Sequence, residues 1–217
     1  MIVITGASSG LGKEVAKLYS KAGKKVVNIS RSECEYADIN ICLSLREGEQ
    51  IEEAAQKILE MDEPIEIIIN SIGVWSEEPY GDITENEIKR LMSTNVKAPS
   101  LLISKLFERI KENESDILNV ISTTGTKARD VYPVYSGSKW ALRGMTKSLQ
   151  ETLKDTKSRV ISFCPGGMAT EFFEKENSDV EASKWMDPAD VAVCIKQILD
   201  LPKSLEVSEI ILNRKKV

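Results

Sequence analysis

The sequence predicts an α/β protein: a doubly wound parallel sheet of about seven strands with helices on both faces. Three observations predict it. Short apolar, β-branched runs such as Ile2–Thr5 and Ile65–Ile69 lack polar alternation, as strands buried on both faces require. Longer amphipathic segments separate these runs, which is the rhythm of βαβ units. Glycines cluster where the first strand meets the first helix, a junction that needs a tight turn.

Ile2–Thr5 reads as the first strand, and Leu11–Ala22 as a helix with Val15, Ala16, Leu18 and Tyr19 on one face, ended by Gly23. Lys25–Ile29 is the second strand. Ile51–Met61 is helical, Pro64 interrupts, and Ile65–Ile69 forms an apolar strand. Glu85–Asn95 and Leu101–Lys111 are helical, and Asp116–Ser122 is the next strand. Tyr135–Leu153 is a long helix, Arg159–Phe163 a strand, Pro188–Leu199 a helix with proline near its start, and Glu206–Leu212 the last strand. Right-handed crossovers wind such elements into one doubly wound sheet. Met168–Met186 is the least periodic stretch and holds Phe172, Phe173 and Trp185 among charges. It reads either as a functional lid or as a surface excursion whose aromatics pack down.

The chain has 217 residues, 41% hydrophobic and 29% charged, which suits a single globular domain over residues 1–217. A net charge of −5 leaves no electrostatic footprint for nucleic acid. The one basic cluster, Arg214-Lys215-Lys216, reads as a solvated tail. Cys34, Cys42, Cys164 and Cys194 form no Cys-x-x-Cys pair, which points to a reducing compartment. With no basic leader ahead of Met1 and no apolar stretch of bilayer length, a cytoplasmic protein without membrane contact is expected. The chain contains no histidine. That excludes Ser-His-Asp and Cys-His mechanisms, removes the commonest transition-metal ligand, and leaves proton transfer to Tyr, Lys, Asp, Glu or Cys. No metal is expected.

Thr5-Gly6-Ala7-Ser8-Ser9-Gly10-Leu11-Gly12 follows the first strand. Its glycines allow a sharp turn and close approach to a pyrophosphate, for which the helix N-terminus offers free N–H groups. A Walker A loop is excluded, because Glu14 stands where Ser or Thr must hold magnesium. Tyr135 and Lys139 lie one helical turn apart and share a face. In isolation such a pair is more often a half-buried aromatic beside a solvated lysine. The second strand runs out through Ser30-Arg31-Ser32 with no acid at its tip. A guanidinium there suits a ribose 2′-phosphate, whereas an acid would suit a 2′-hydroxyl. NADP(H) is therefore favoured over NAD(H), with Glu33 and Glu35 close enough to act on that choice.

These residues together resemble the short-chain dehydrogenase/reductase family. The glycine turn matches its Thr-Gly-x-x-x-Gly-x-Gly, and Tyr135 with Lys139 its Tyr-x-x-x-Lys. Ser122 precedes Tyr135 by the family's interval, and Asn95 stands at its helix asparagine. Asn70-Ser71-Ile72-Gly73 is similar to its Asn-Asn-Ala-Gly, with Ser71 and Ile72 as departures. Pro165-Gly166 with Thr170 is similar to its Pro-Gly-x-x-x-Thr, and Asp38-Ile39 to its adenine-contacting Asp-Val.

The resemblance implies a compact Rossmann-like fold whose short substrate-side segment is 168–186. It implies an oxidoreductase that converts a small-molecule ketone or aldehyde to an alcohol, or the reverse. Tyr135 would be the general acid–base, and Lys139 would lower the phenol pKa and bond the nicotinamide ribose. Ser122 would hold the carbonyl oxygen, and Asn95 a relay water. The cofactor would meet Gly6, Ser8, Ser9, Gly10, Leu11, Gly12, Arg31, Asp38, Ile39, Asn70, Ser71, Gly73, Tyr135, Lys139, Pro165, Gly166, Met168 and Thr170. Trp75, Tyr80, Tyr132, Met168, Phe172 and Phe173 fall where the family's pockets are lined, and Lys127 and Arg129 where an acidic substrate would be met. A homodimer or homotetramer through the Asn95–Lys111 and Tyr135–Leu153 helices is implied, with Trp140, Leu142 and Met145 at the contact. Two rival readings remain. A 3-oxoacyl carrier-protein reductase needs a basic docking surface. A non-catalytic NADP-binding redox-sensing regulator predicts damage to Ser122, Tyr135 or Lys139, and all three are intact.

Overall fold

The computed structural model describes residues 1–127, 131–172 and 184–215. Seven parallel strands form one sheet in the order β3-β2-β1-β4-β5-β6-β7. They are β1 (Ile2–Thr5), β2 (Val26–Ser30), β3 (Ile39–Cys42), β4 (Ile67–Asn70), β5 (Asp116–Val120), β6 (Val160–Pro165) and β7 (Glu209–Leu212). Thr5 lies opposite Asn70, and Asn70 opposite Asn119, so the carboxyl ends of the central strands align.

Alternate residues face opposite sides. On one side Val3, Val27, Ile29, Ile68 and Ile117 pack with α2 (Gly48–Leu59) and α4 (Ala98–Lys105) through Ile51, Ala54, Ile58, Leu102 and Ile103. On the other, Ile2, Ile4, Ile69, Leu118 and Phe163 pack with α1 (Gly10–Lys21) and α7 (Pro188–Leu199) through Val15, Ala16, Tyr19, Val191 and Ile195. No helix among the described residues is long and apolar enough to cross a membrane.

Three elements differ from expectation. The sequence reading passed over β3. It is an edge strand that buries Ile41 while Cys42 is exposed, so it shows no apolar run. The Asn40 amide oxygen accepts from Asn28 Nδ2 at 2.8 Å and from the Cys34 N–H at 2.8 Å, tying this polar strand in place. The two helices expected over 85–111 also divide elsewhere. α3 (Glu85–Met92) continues through a wider π-helical turn, Ser93–Lys97, into α4, and α5 (Phe107–Asn113) follows. Pro99 lacks the N–H that a regular helix would direct at the Asn95 carbonyl, and the Ala98 N–H reaches back five residues to Ser93. Finally, α6 (Pro133–Leu153) starts two residues early, on Pro133.

A buried ion pair closes the sheet's amino-terminal end. Arg159 grips Asp116 with Nη2–Oδ2 at 2.7 Å and Nε–Oδ1 at 3.2 Å. The same guanidinium donates to the carbonyls of Leu199 and Leu201, both at 2.9 Å, at the end of α7. Lys203 Nζ also bonds Asp116 Oδ1.

Candidate active site

The glycine turn is built as a cradle. Gly6 and Gly10 have φ of +76° and +55°, left-handed values that side chains disfavour. A Cβ on Gly12 would stand 2.3 Å from the Gly6 carbonyl oxygen, so the turn closes only around a hydrogen. Ser9 makes no side-chain bond to the first turn of α1, which leaves that turn's N–H groups without an internal cap. The turn lies where the sheet order departs in both directions from β1, at the carboxyl ends of the strands. That switch point is where open α/β sheets bind dinucleotides, so the chain's residues fit such a group. Gly12→Ala overpacks this turn, a change that typically costs about 1–3 kcal/mol. Titration by reduced-nicotinamide fluorescence is expected to show dinucleotide affinity falling by about tenfold or more.

A cleft of about 970 Å³ runs from this turn along the strand ends. One end is lined by Gly6, Ser8, Ser9, Gly10, Leu11, Ser30, Arg31 and Ser32. Ser71, Gly73, Pro165, Gly166, Met168 and Thr170 line it further along, and Ser122, Tyr135 and Lys139 the other end. The structure therefore brings together most of the residues singled out in the sequence. Gly12 sits behind the turn, against Gly6.

Three expected cofactor contacts lie elsewhere. Asp38 and Ile39 stand at the amino end of β3, on the wrong side of the sheet for a ligand at the carboxyl ends. The Asp38 carboxylate accepts from the Val26 N–H at 2.8 Å and so anchors the start of β2. Asn70 is 1% exposed and spends its amide inside the sheet, donating to Asn119 Oδ1 at 2.9 Å and accepting from Thr5 Oγ1 at 3.3 Å. In place of Asp38-Ile39, the cleft is lined by Leu43, Ser44 and Arg46, from the turn after β3. Arg46 was missed because its strand was missed; the signal available was the Ile39-Asn40-Ile41 alternation ahead of it. The acids near Arg31 do not line the cleft. Glu35 pairs with Lys13 at 2.7 Å, and Glu33 is exposed.

At the chemical end, the Ser122 side chain stands near enough to the Tyr135 phenol to favour its ionised form. Ser122 Oγ accepts from the Thr124 N–H at 3.2 Å and from Thr124 Oγ1 at 3.0 Å. Lys139 is 3% exposed, lies one turn along α6, and donates to the Val120 carbonyl at 3.1 Å. Its Nζ stands 5.8 Å from the centre of the Tyr135 ring. The acidity of the phenol departs from the expectation that the ammonium lowers it. Burial pushes Tyr135 up to about 12, against a smaller opposite effect of the neighbouring Ser122 side chain. Burial likewise lowers Lys139 to about 8. With its ammonium turned to a backbone carbonyl, desolvation outweighs the charge.

Asn95 is wholly buried in the π-helical turn. Its Oδ1 accepts from the Val74 N–H at 2.8 Å, and its Nδ2 donates to the Val74 carbonyl and to Ser138 Oγ at 3.0 and 2.9 Å. Ser138 Oγ in turn donates to the Tyr135 carbonyl at 2.7 Å. Asn95 thus clamps the loop after β4 to the first turns of α6, and its side chain lines no part of the cleft.

Around Tyr135, Trp75, Tyr132 and Phe172 line the cleft as expected, whereas Tyr80 is 80% exposed and lies outside it. Lys127 is exposed and outside the lining. Arg129, Phe173 and Lys216 fall outside the described residues.

Fold and cleft define the class: an α/β protein with a doubly wound sheet, whose cleft runs from a glycine turn to a Ser-Tyr-Lys set. Comparison with known proteins gives the family. The model of the short chain dehydrogenases matches residues 1–181, and the chain belongs to that family. It is an oxidoreductase of the type that acts on alcohol and carbonyl groups of small molecules. L-xylulose reductase of Caenorhabditis elegans is 30% identical over 197 residues, covering 85% of this chain and 78% of its own. Two solved structures share the fold. The closed form of serine dehydrogenase complexed with NADP+ has a TM-score of 0.87 at 24% identity, covering 99% of this chain and 94% of its own. 4-Hydroxyisoleucine dehydrogenase complexed with NADH and succinate has a TM-score of 0.83 at 23% identity, covering 98% and 97%.

Proposed function

We propose that the protein is an NADP(H)-dependent oxidoreductase that interconverts a ketone or aldehyde and its alcohol, with Tyr135 as general acid–base. The observation that carries this reading is that Ser122, Tyr135 and buried Lys139 line the same cleft as the glycine turn. When bound, the dinucleotide supplies or takes up the hydride. Tyr135, with its phenol held up near 12, is protonated at neutral pH and gives its proton to the oxygen of the nascent alkoxide. Ser122 Oγ holds that oxygen beside the phenol. Lys139 returns a proton toward Tyr135, and Asn95 acts as a positioning residue that holds Val74 and the first turns of α6 together.

Gly6, Ser8, Ser9, Gly10 and Leu11 would hold the pyrophosphate in a turn that Gly12 lets close, and Ser71, Gly73, Pro165, Gly166, Met168 and Thr170 the remainder of the dinucleotide. Arg31, and with it Arg46, supports NADP(H), since both line the end of the cleft beyond the turn and Glu35 is paired away. Fold neighbours carry either dinucleotide, so the arginines bear the whole choice. A charge-assisted bond contributes about 1.5–3 kcal/mol. Arg31→Ala is therefore expected to weaken NADPH binding by about 10–100-fold while NADH binding changes little. Equal affinity of the wild type for NADPH and NADH overturns the NADP(H) assignment.

Residues 1–217 then form one dinucleotide-binding domain, placed in the cytoplasm in keeping with four free cysteines. Trp140 and Met145 stay exposed on α6 while Leu142 is buried, which supports a homodimer or homotetramer through that helix.

A further inference from the structure

Two aromatic side chains beside Tyr135 have no part in the reaction above. Trp75 enters from the loop after β4, and Tyr132 is the residue just before α6. Their ring centres are 4.4 Å apart, and Trp75 meets Tyr135 edge-on at 4.5 Å. Both line the cleft at its chemical end.

Both are also held firmly. Trp75 Nε1 donates to Glu77 at 3.3 Å, and its carbonyl accepts from Arg90 Nη2 at 2.5 Å. Arg90 in turn pairs with Glu87 at 2.6 Å. Tyr132 adopts φ +45° and ψ +58°, the left-handed region, ahead of Pro133. A bulky residue there costs about 1–2 kcal/mol and persists only where its surroundings hold it. Strain kept at a cleft wall, to lay one ring against another, is a reason to look for what that wall touches.

The carbonyl oxygen of a substrate must reach Ser122 and Tyr135, so a group attached to that carbonyl lies against the neighbouring wall. Here the wall is aromatic, two rings tilted by 50° to one another. Glu77, and Arg90 paired with Glu87, brace it from behind.

We propose that Trp75 and Tyr132 form a specificity wall that selects an aldehyde or ketone carrying a planar ring next to the carbonyl. The ring packs on the wall and sets the carbonyl beneath the phenol. A linear polyhydroxy ketone has no planar face to offer. This inference rests on the carbonyl-reductase reading above.

The experiment compares benzaldehyde and acetophenone with butanal and L-xylulose as substrates for NADPH oxidation. In the wild type the aryl compounds are expected to have the highest kcat/KM. In Trp75→Phe, and more so in Trp75→Ala, the aryl-to-alkyl ratio of kcat/KM is expected to fall about tenfold, the size of a well-made ring contact. Tyr132→Gly removes the second ring and relieves the left-handed backbone, so it tests the wall in a chain that folds at least as well. Trp fluorescence titration with benzyl alcohol and butanol, in the presence of NADPH, reads the same preference without turnover. Aryl and alkyl compounds treated alike by the wild type, or an unchanged ratio in all variants, overturn the wall. Aryl preference in the titration with no turnover of any carbonyl keeps the wall and overturns the reductase reading.

Discussion

Replacing Tyr135 by Phe is expected to lower kcat for carbonyl reduction by about 10²–10⁴-fold, the range a positioned proton donor contributes. The ring keeps its edge-on contact with Trp75, so the wall and the fold should stand. Dinucleotide binding should change little, because the glycine turn and Arg31 lie toward the other end of the cleft. The check is single-turnover absorbance of NADPH in wild type and variant at saturating cofactor. A variant that binds NADPH and turns over at the wild-type rate removes Tyr135 from the chemistry. Two inert proteins that both bind NADPH would instead favour the non-catalytic regulator.

Asp116→Ala is expected to cost about 3–5 kcal/mol of folding stability, because it leaves Arg159 charged and 5% exposed with no carboxylate. For a domain of this size that is a fall in Tm of roughly 6–20 °C by thermal denaturation. Lys203→Ala is the internal control. Its side chain is 43% exposed, so losing its bond to the same carboxylate should cost about 1 kcal/mol or less. Equal losses from both variants would show that the buried pair does not hold β5, β6 and the end of α7 together.

Much of the fold was legible in the sequence, and for a local reason. Val3, Ile68 and Ile117 belong to strands buried on both faces, which announce themselves as unbroken apolar runs. β3 did not announce itself, since an edge strand buries one face and carries Asn40 to bond Asn28. That single omission displaced two expectations. Asp38 and Ile39 were aligned with a motif although they stand at the amino end of their strand, and Arg46 beyond its carboxyl end went unnoticed. Asn70 belongs to a matching motif, yet its amide serves a buried ladder from Thr5 through Asn119 to Thr146.

The sequence by itself determined the six strands other than β3, the glycine turn, and the Ser122, Tyr135 and Lys139 set. Each of these depends on residue type at fixed spacing along one or two neighbouring elements. Only the tertiary structure decided which arginines share the cleft and which acids are paired away from it. It also decided how acidic the phenol is. Tyr135 and Lys139 are one turn apart in any helix, but the direction of the phenol's shift depends on burial and on where the ammonium points. Trp75 and Tyr132 come from separate elements to stand beside the ring, and the Lys139 ammonium turns to the Val120 carbonyl. Desolvation therefore wins over charge, and the phenol's pKa lies above its ordinary value.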